Sequence, residues 1–180
     1  MHNNHTNYSK FLSLILRHNP DVAGIKLDRE GWTDVDTLLE STDTTRLFLE
    51  TVVATNNKKR FEFNSDKTKI RARQGHSLSV DLGLSPVIPP DQLFHGTSLQ
   101  SVENIQSSGV RKQNRQYVHL SPDFSTALRV GARHGKPYVF RVDAKRMNKD
   151  GYVFFFSSNG VWMVDHVPPE YLTEKPVSLL

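Results

Sequence analysis

The 180-residue chain contains no cysteine. Disulfides, thiolate metal ligands and cysteine nucleophiles are excluded, and the composition suits an intracellular, cytoplasmic protein. Long apolar runs are missing too. No stretch approaches the roughly 20 residues of a membrane span, so no membrane partner is expected. The first ten residues, MHNNHTNYSK, lack the apolar segment of a secretory leader, and His2 and His5 are expected in a frayed terminus. No GxxxxGK[ST] phosphate loop, GxGxxG fingerprint, HExxH or cysteine-based zinc pattern occurs. The eight histidines have no metal-ligand spacing, so no metal is expected. There is no internal repeat and no low-complexity tract.

What the chain does have is clustered positive charge. With 37% hydrophobic and 23% charged residues it reads as a soluble globular protein of net charge +4. Residues 58–73 carry Lys58, Lys59, Arg60, Lys67, Lys69, Arg71 and Arg73 against Glu62 and Asp66. Residues 111–149 carry ten Lys/Arg against Asp123 and Asp143. Such density suits a polyanion such as nucleic acid or pyrophosphate, although a solvated basic face would look the same.

Apolar periodicity predicts a helix over 9–18, ended by Pro20. A short strand and turn is expected over 27–32, then a helix over 35–40 capped by Asp34, and another from Thr44 or Thr45 to about residue 54. Alternation in 61–63 and 69–72, separated by Asn64-Ser65-Asp66, predicts a hairpin. Helices followed by a hairpin resemble a winged helix. Turn formers across 83–90 place a lobe boundary there, dividing 1–85 from 86–180. Beyond it, strands are expected at 93–95, 118–120, 138–142, 153–157 and 161–164, with helices at 99–107 and 125–133. The short connections favour an α+β lobe with a largely antiparallel sheet.

Five segments could carry chemistry. Arg17 and His18 end the first helix. The helix dipole alone favours cations there, whereas an anionic partner would use the planar Arg fork and the titratable His. Arg71 and Arg73 share one strand face and repel unless an anion or a carboxylate lies between them. His95-Gly96-Thr97-Ser98, between a strand and a helix start, could bind a ribose or phosphate. His119 and Ser121 face one side of their strand, as an ordinary half-buried strand would also place them. Arg133-His134-Gly135-Lys136 reads equally as a glycine-capped basic helix end.

Taken in order, these segments resemble the KptA family of NAD-dependent RNA 2′-phosphotransferases, related to the enzymes that finish tRNA splicing. The resemblance runs from about Ser9 to Tyr171. It is carried by Ser9-Lys10-Phe11-Leu12-Ser13, Leu16-Arg17-His18-Asn19-Pro20, Asp28-Arg29-Glu30-Gly31-Trp32, Ile70-Arg71-Ala72-Arg73-Gln74-Gly75-His76-Ser77, Leu93-Phe94-His95-Gly96-Thr97, Val118-His119-Leu120-Ser121 and Val130-Gly131-Ala132-Arg133-His134-Gly135-Lys136-Pro137. Phe94 stands where Tyr is more usual. The resemblance implies an N-terminal winged-helix RNA-binding lobe and a C-terminal ADP-ribosyltransferase-like lobe that binds NAD. It also implies an Arg-His-Arg-Arg tetrad at Arg17, His18, Arg71 and Arg133, with Arg115 the competitor for the fourth place. NAD contacts would fall to His95, Gly96, Thr97, His119, Ser121 and Arg115, and RNA-phosphate contacts to Arg73, Gln74 and His76. The implied partners are NAD and a tRNA-like RNA bearing a 2′-phosphate, with no obligate protein partner.

The implied reaction has two steps and no metal. The RNA 2′-phosphate displaces nicotinamide from NAD, and a ribose hydroxyl of the attached ADP-ribose then displaces the RNA 2′-oxygen. A phosphate ionised at neutral pH needs no general base, which fits the lack of Glu in Phe154-Phe155-Phe156-Ser157-Ser158-Asn159-Gly160. Two rivals remain: an ADP-ribosyltransferase that caps terminal phosphates of RNA or DNA, and a non-catalytic winged-helix nucleic-acid binder.

Overall fold

Leu12, Ile15 and Leu16 lie on one face of the first helical segment and are wholly buried. That stripe nucleates the first of two hydrophobic cores in the computed structural model, which describes residues 2–175. The chain divides into two units, Met1–Gly83 and Leu84–Leu180, each with its own core.

In the first unit, helix α1 (His2–Ile15) packs with α2 (Val35–Ser41) and α3 (Arg46–Thr55) through Leu38, Leu49 and Val52. Asp34 caps α2 by accepting from the Thr37 N–H, and Thr45 caps α3 by accepting from the Phe48 N–H. Strands β1 (Thr33–Asp34), β2 (Phe61–Phe63) and β3 (Lys69–Ala72) form an antiparallel sheet in the order β1-β3-β2. Phe61, Ile70 and Ala72 add to the core.

The local expectations are met here in part. The first helix begins at His2, seven residues before the expected start, and the His5 ring packs edge-on to Phe48 at 5.1 Å. The residue before Pro20, Asn19, is extended at φ −148°, as a following proline favours, and Pro20 then opens a separate 3-10 turn, Pro20–Ala23. Of the strand and turn expected at 27–32, only the turn forms. The Asp28 carboxylate accepts from the Glu30 and Trp32 N–H groups, and Gly31 sits at φ 80°. That local bonding outcompetes a strand ladder.

In the second unit every strand pair is antiparallel. The strands are β4 (Gln92–Ser98), β5 (Val110–Arg111), β6 (Val118–Leu120), β7 (Pro137–Asp143), β8 (Phe154–Phe156), β9 (Trp162–Val164), β10 (His166–Val167) and β11 (Leu172–Lys175). They form sheets ordered β11-β7-β4, β6-β9-β8 and β10-β5. Paired Phe94 and Ser121 backbone groups, at 2.8 and 2.9 Å, tie β4 to the end of β6. Helices α4 (Val102–Ser108), α5 (Phe124–Gly131) and α6 (Ala144–Lys149) complete the unit. Both units are mixtures of helix and antiparallel sheet, an α+β chain.

The helix expected at 99–107 begins as a 3-10 turn, Leu99–Ser101, before α4. β4 runs on through Ser98, so His95, Gly96 and Thr97 lie within a strand paired to β7 and not at a helix start. Gly96 has a packing reason: a Cβ there would collide with the Ala127 carbonyl of α5. Gly131 repeats the constraint from the helix side, its Cβ position lying 2.5 Å from the Thr97 carbonyl oxygen. The two glycines let α5 lie directly on β4.

Candidate functional site

The residues that follow β3 fold back across the end of α1. The Arg17 carbonyl accepts from the Ser77 N–H at 3.0 Å and the Leu78 N–H at 3.4 Å. Gly75, at φ 87°, lets the chain pass under the Arg17 guanidinium, whose Nη1 lies 3.5 Å from where a Cβ would stand. Ser77 Oγ meets His18 Nδ1 at 3.0 Å. A β3 exit and a helix end far apart in sequence are thereby joined.

Arg71 is held on three sides. Its Nε donates to Glu62 Oε1 at 2.8 Å, its Nη1 donates to the Glu30 carbonyl at 3.3 Å, and its guanidinium carbon lies 4.3 Å from the centre of the Trp32 ring. Glu62 also reaches Arg73 Nε, through Oε2 at 3.5 Å. This is the carboxylate that two like charges on one strand face require, and hairpin register supplies it, because Glu62 stands opposite Arg71. A guanidinium has five N–H donors. The two hydrogen bonds of Arg71 leave donors for an oxyanion, in an orientation already fixed.

His76 packs beneath this group at 1% exposure, near Gly31. Among the described residues neither of its ring nitrogens has a hydrogen-bond partner. Burial, then the positive charges of Arg17, His18 and Arg71, lowers its pKa to about 4. The ring is therefore neutral near pH 7 and adds no further charge to the cluster. Gln74 lies half-buried in the bend between Arg73 and Gly75.

In the second unit the expected residues gather partly. His95 Nδ1 lies 3.3 Å from the His119 carbonyl, and Arg115 Nη1 lies 3.3 Å from His119 Nδ1. Burial holds His95 below the ordinary histidine range; the His119 carbonyl opposes that shift and the Arg115 charge adds to it. Ser121 joins through its backbone pairing with Phe94, next to His95. Thr97 is buried. Arg133 lies exposed on a 3-10 turn, Ala132–His134, and among the described residues makes no ion pair or hydrogen bond.

Sequence reasoning gave no role to Glu62, Trp32 or Ser77. Glu62 was accessible through the hairpin register. Trp32 and Ser77 depend on how the turn at 28–32 and the bend at 73–78 fold over the strand, and no periodicity carries that. Among the described residues no group of three or more His, Asp or Glu could hold a metal ion, and no helix is long and apolar enough to cross a membrane.

These features define a class: an α+β protein whose first unit brings two arginines and a histidine together around the buried His76. The family described as "RNA 2'-phosphotransferase, Tpt1 / KptA family" matches residues 3–166. A probable RNA 2′-phosphotransferase of Nostoc punctiforme is 54% identical over 169 residues, covering 91% of this chain and 93% of the relative. One from Flavobacterium johnsoniae is 49% identical, covering 93% and 94%, and one from Hahella chejuensis is 46% identical, covering 92% and 91%. The chain belongs to the RNA 2′-phosphotransferase family, and so to the transferases.

Proposed function

We propose that the protein removes an internal 2′-phosphate from RNA by transferring it to NAD, with Arg17, His18 and Arg71 holding the phosphate. The observation that carries this reading is the fixed cluster at the end of α1: Arg71 braced by Glu62 and Trp32, and His18 bonded to Ser77. The first unit, three helices with a β1-β3-β2 sheet, suits a winged-helix RNA reader, and the second, all antiparallel pairing, suits an ADP-ribosyltransferase-like NAD binder.

In the first step a 2′-phosphate oxygen bonds to the anomeric carbon of the nicotinamide riboside as the glycosidic C–N bond breaks, and nicotinamide leaves. The phosphate is already an anion, so no residue need take a proton. In the second step a ribose hydroxyl of the attached ADP-ribose bonds to phosphorus and the bond to the RNA 2′-oxygen breaks. His18 moves the proton from the attacking hydroxyl to the departing RNA oxygen. The products are 2′-OH RNA and ADP-ribose 1″,2″-cyclic phosphate. Arginines stabilise the phosphoryl charge, which is the larger part of such catalysis. Arg73 and Gln74 extend the contact to neighbouring RNA phosphates, while His76, buried and neutral, supports Arg17 and Arg71 from beneath.

His95, Gly96, Thr97, His119 and Ser121 form the NAD-binding strands, with His95 kept neutral by burial. The fourth arginine is Arg115 ahead of Arg133, because Arg115 reaches His119 and through it the backbone contact to His95. Arg133 is the second reading.

Chromatography of the products from a 2′-phosphorylated oligoribonucleotide and NAD tests this. The expected products are 2′-OH RNA, nicotinamide and the cyclic phosphate. Persistent ADP-ribosylated RNA would instead make the protein a phosphate-capping ADP-ribosyltransferase, and unchanged RNA and NAD a non-catalytic binder.

A further inference from the structure

A groove of about 800 Å³ runs along the first unit between α1 and the end of α3. One wall is a stripe on α1: His5, Ser9, Ser13 and Arg17 recur every four residues and so share a face. From His5 to Arg17 that stripe covers about 18 Å at about 1.5 Å per residue. Beyond Ile15 the chain keeps turning, with the Leu16 N–H bonded to Leu12 O and the His18 N–H to Leu14 O, which places Arg17 just past the helix end of the stripe. The facing wall brings Lys58 and Arg60, and Lys10 stands beside the stripe. Among the described residues no Asp or Glu lines the groove, and no Phe, Tyr or Trp does. The Asn56 side chain donates to Ser9 Oγ at 2.7 Å and ties the two walls together.

We propose that this groove is a track for the RNA strand flanking the 2′-phosphate, gripping backbone phosphates through Lys10, Lys58 and Arg60 without reading bases. The inference rests on the reading that Arg17 holds the 2′-phosphate, for Arg17 is itself one of the groove's lining residues. A lining of cations and hydroxyls with no carboxylate fits a polyanion. With no Phe, Tyr or Trp among the described lining residues and the His5 ring already packed against Phe48, the groove offers little base stacking, so the grip is electrostatic and indifferent to sequence. A length of about 18 Å takes a few nucleotides beyond the modified one. The groove thus makes the protein prefer longer RNA to a bare 2′-phosphorylated dinucleotide.

The test compares the wild type with Lys10→Ala/Lys58→Ala, both positions being exposed. Fluorescence anisotropy would follow the binding of labelled 2′-phosphorylated oligonucleotides, a dinucleotide and one of about ten nucleotides, over a range of salt. The variant is expected to bind the longer oligonucleotide about tenfold more weakly. Its salt dependence should be shallower by about 1.4 in log–log slope, at roughly 0.7 per phosphate contact on a single strand. Affinity for the dinucleotide and the KM for NAD should not change, and Lys10→Arg/Lys58→Arg should restore the loss. Equal affinity and slope in wild type and double alanine variant would overturn the track. So would a tenfold preference between oligo-A and oligo-U carriers, since bases would then be read. A wild type that binds long RNA with the expected salt slope, yet removes no phosphate, would uphold the track while refuting the proposed activity.

Discussion

The cationic cluster of the first unit and the histidine–arginine group of the second are assembled by different means. In the first, charge is held by charge and by aromatic surface: Glu62 bridges Arg71 and Arg73, and Trp32 lies under Arg71. In the second, backbone does the holding: β4 and β6 bring His95 to the His119 carbonyl, and among the described residues Arg115 forms no ion pair with a carboxylate. A group that must grip a multiply charged phosphate benefits from guanidiniums oriented in advance by a fixed counter-ion. A strand pair carrying a histidine whose pKa is lowered by burial suits an uncharged contact in the proposed NAD site. The difference teaches that one sequence can build two cationic groups on separate units with separate electrostatic habits, a division that suits the proposed phosphate and NAD sites.

The strongest way to break that contrast is Arg71→Ala. Loss of a pre-oriented donor to phosphoryl charge should cut turnover of a 2′-phosphorylated oligoribonucleotide by about 10²- to 10³-fold. A wild-type rate, measured on protein that still melts cooperatively, would remove Arg71 from the chemistry.

Next comes acid stability. The pKa of His76 falls from about 6.5 to about 4 in the folded state, so the unfolded chain binds more protons between those values. Stability therefore declines as pH drops from about 6.5 to about 4, by roughly 3 kcal/mol at the bottom of that window, and is fully present above it. His95 adds in the same direction. Urea unfolding of wild type and His76→Leu at pH 7 and pH 4.5 measures it. A variant as acid-sensitive as the wild type would locate the effect elsewhere.

The two arginines of the second unit come third. Arg115→Ala should lower kcat/KM by roughly 30-fold, the scale of losing one charged hydrogen bond, whereas Arg133→Ala should change it less than about threefold. The reverse order would reinstate Arg133 as the fourth arginine.

The smallest effect is expected at Ser77. Ser77→Ala removes the partner of His18 Nδ1 and should slow turnover by about three- to tenfold, with a shifted pH profile that Ser77→Thr restores. An unshifted profile would leave Ser77 with a purely structural role.

Sequence reasoning reached the parts of this molecule that follow local rules. The Asp34 cap, the hairpin of Phe61–Phe63 with Lys69–Ala72 and the strand Val118–Leu120 obey short-range periodicity and capping chemistry, and each stands where alternation or a cap residue put it. Of the strand and turn expected at 27–32 only the turn formed, because Asp28 satisfies its neighbours' N–H groups locally. Helix α6 and the short strands β5, β10 and β11 escaped notice, being too brief to show a period. For the site, the motif arginines and histidines were legible as residues, and the need for a carboxylate between Arg71 and Arg73 was legible as physics. That Glu62 meets the need, that His76 is buried and that Arg115 rather than Arg133 meets His119 are tertiary facts. Each depends on bends and crossings that a pattern of residue types does not encode.

The most direct test of the central claim is incubation of the wild-type protein with a 2′-phosphorylated oligoribonucleotide, with and without NAD, following the 2′-phosphate. The account predicts quantitative loss of the phosphate with NAD and none without it. Loss that proceeds equally without NAD, or no loss with it, would contradict the account.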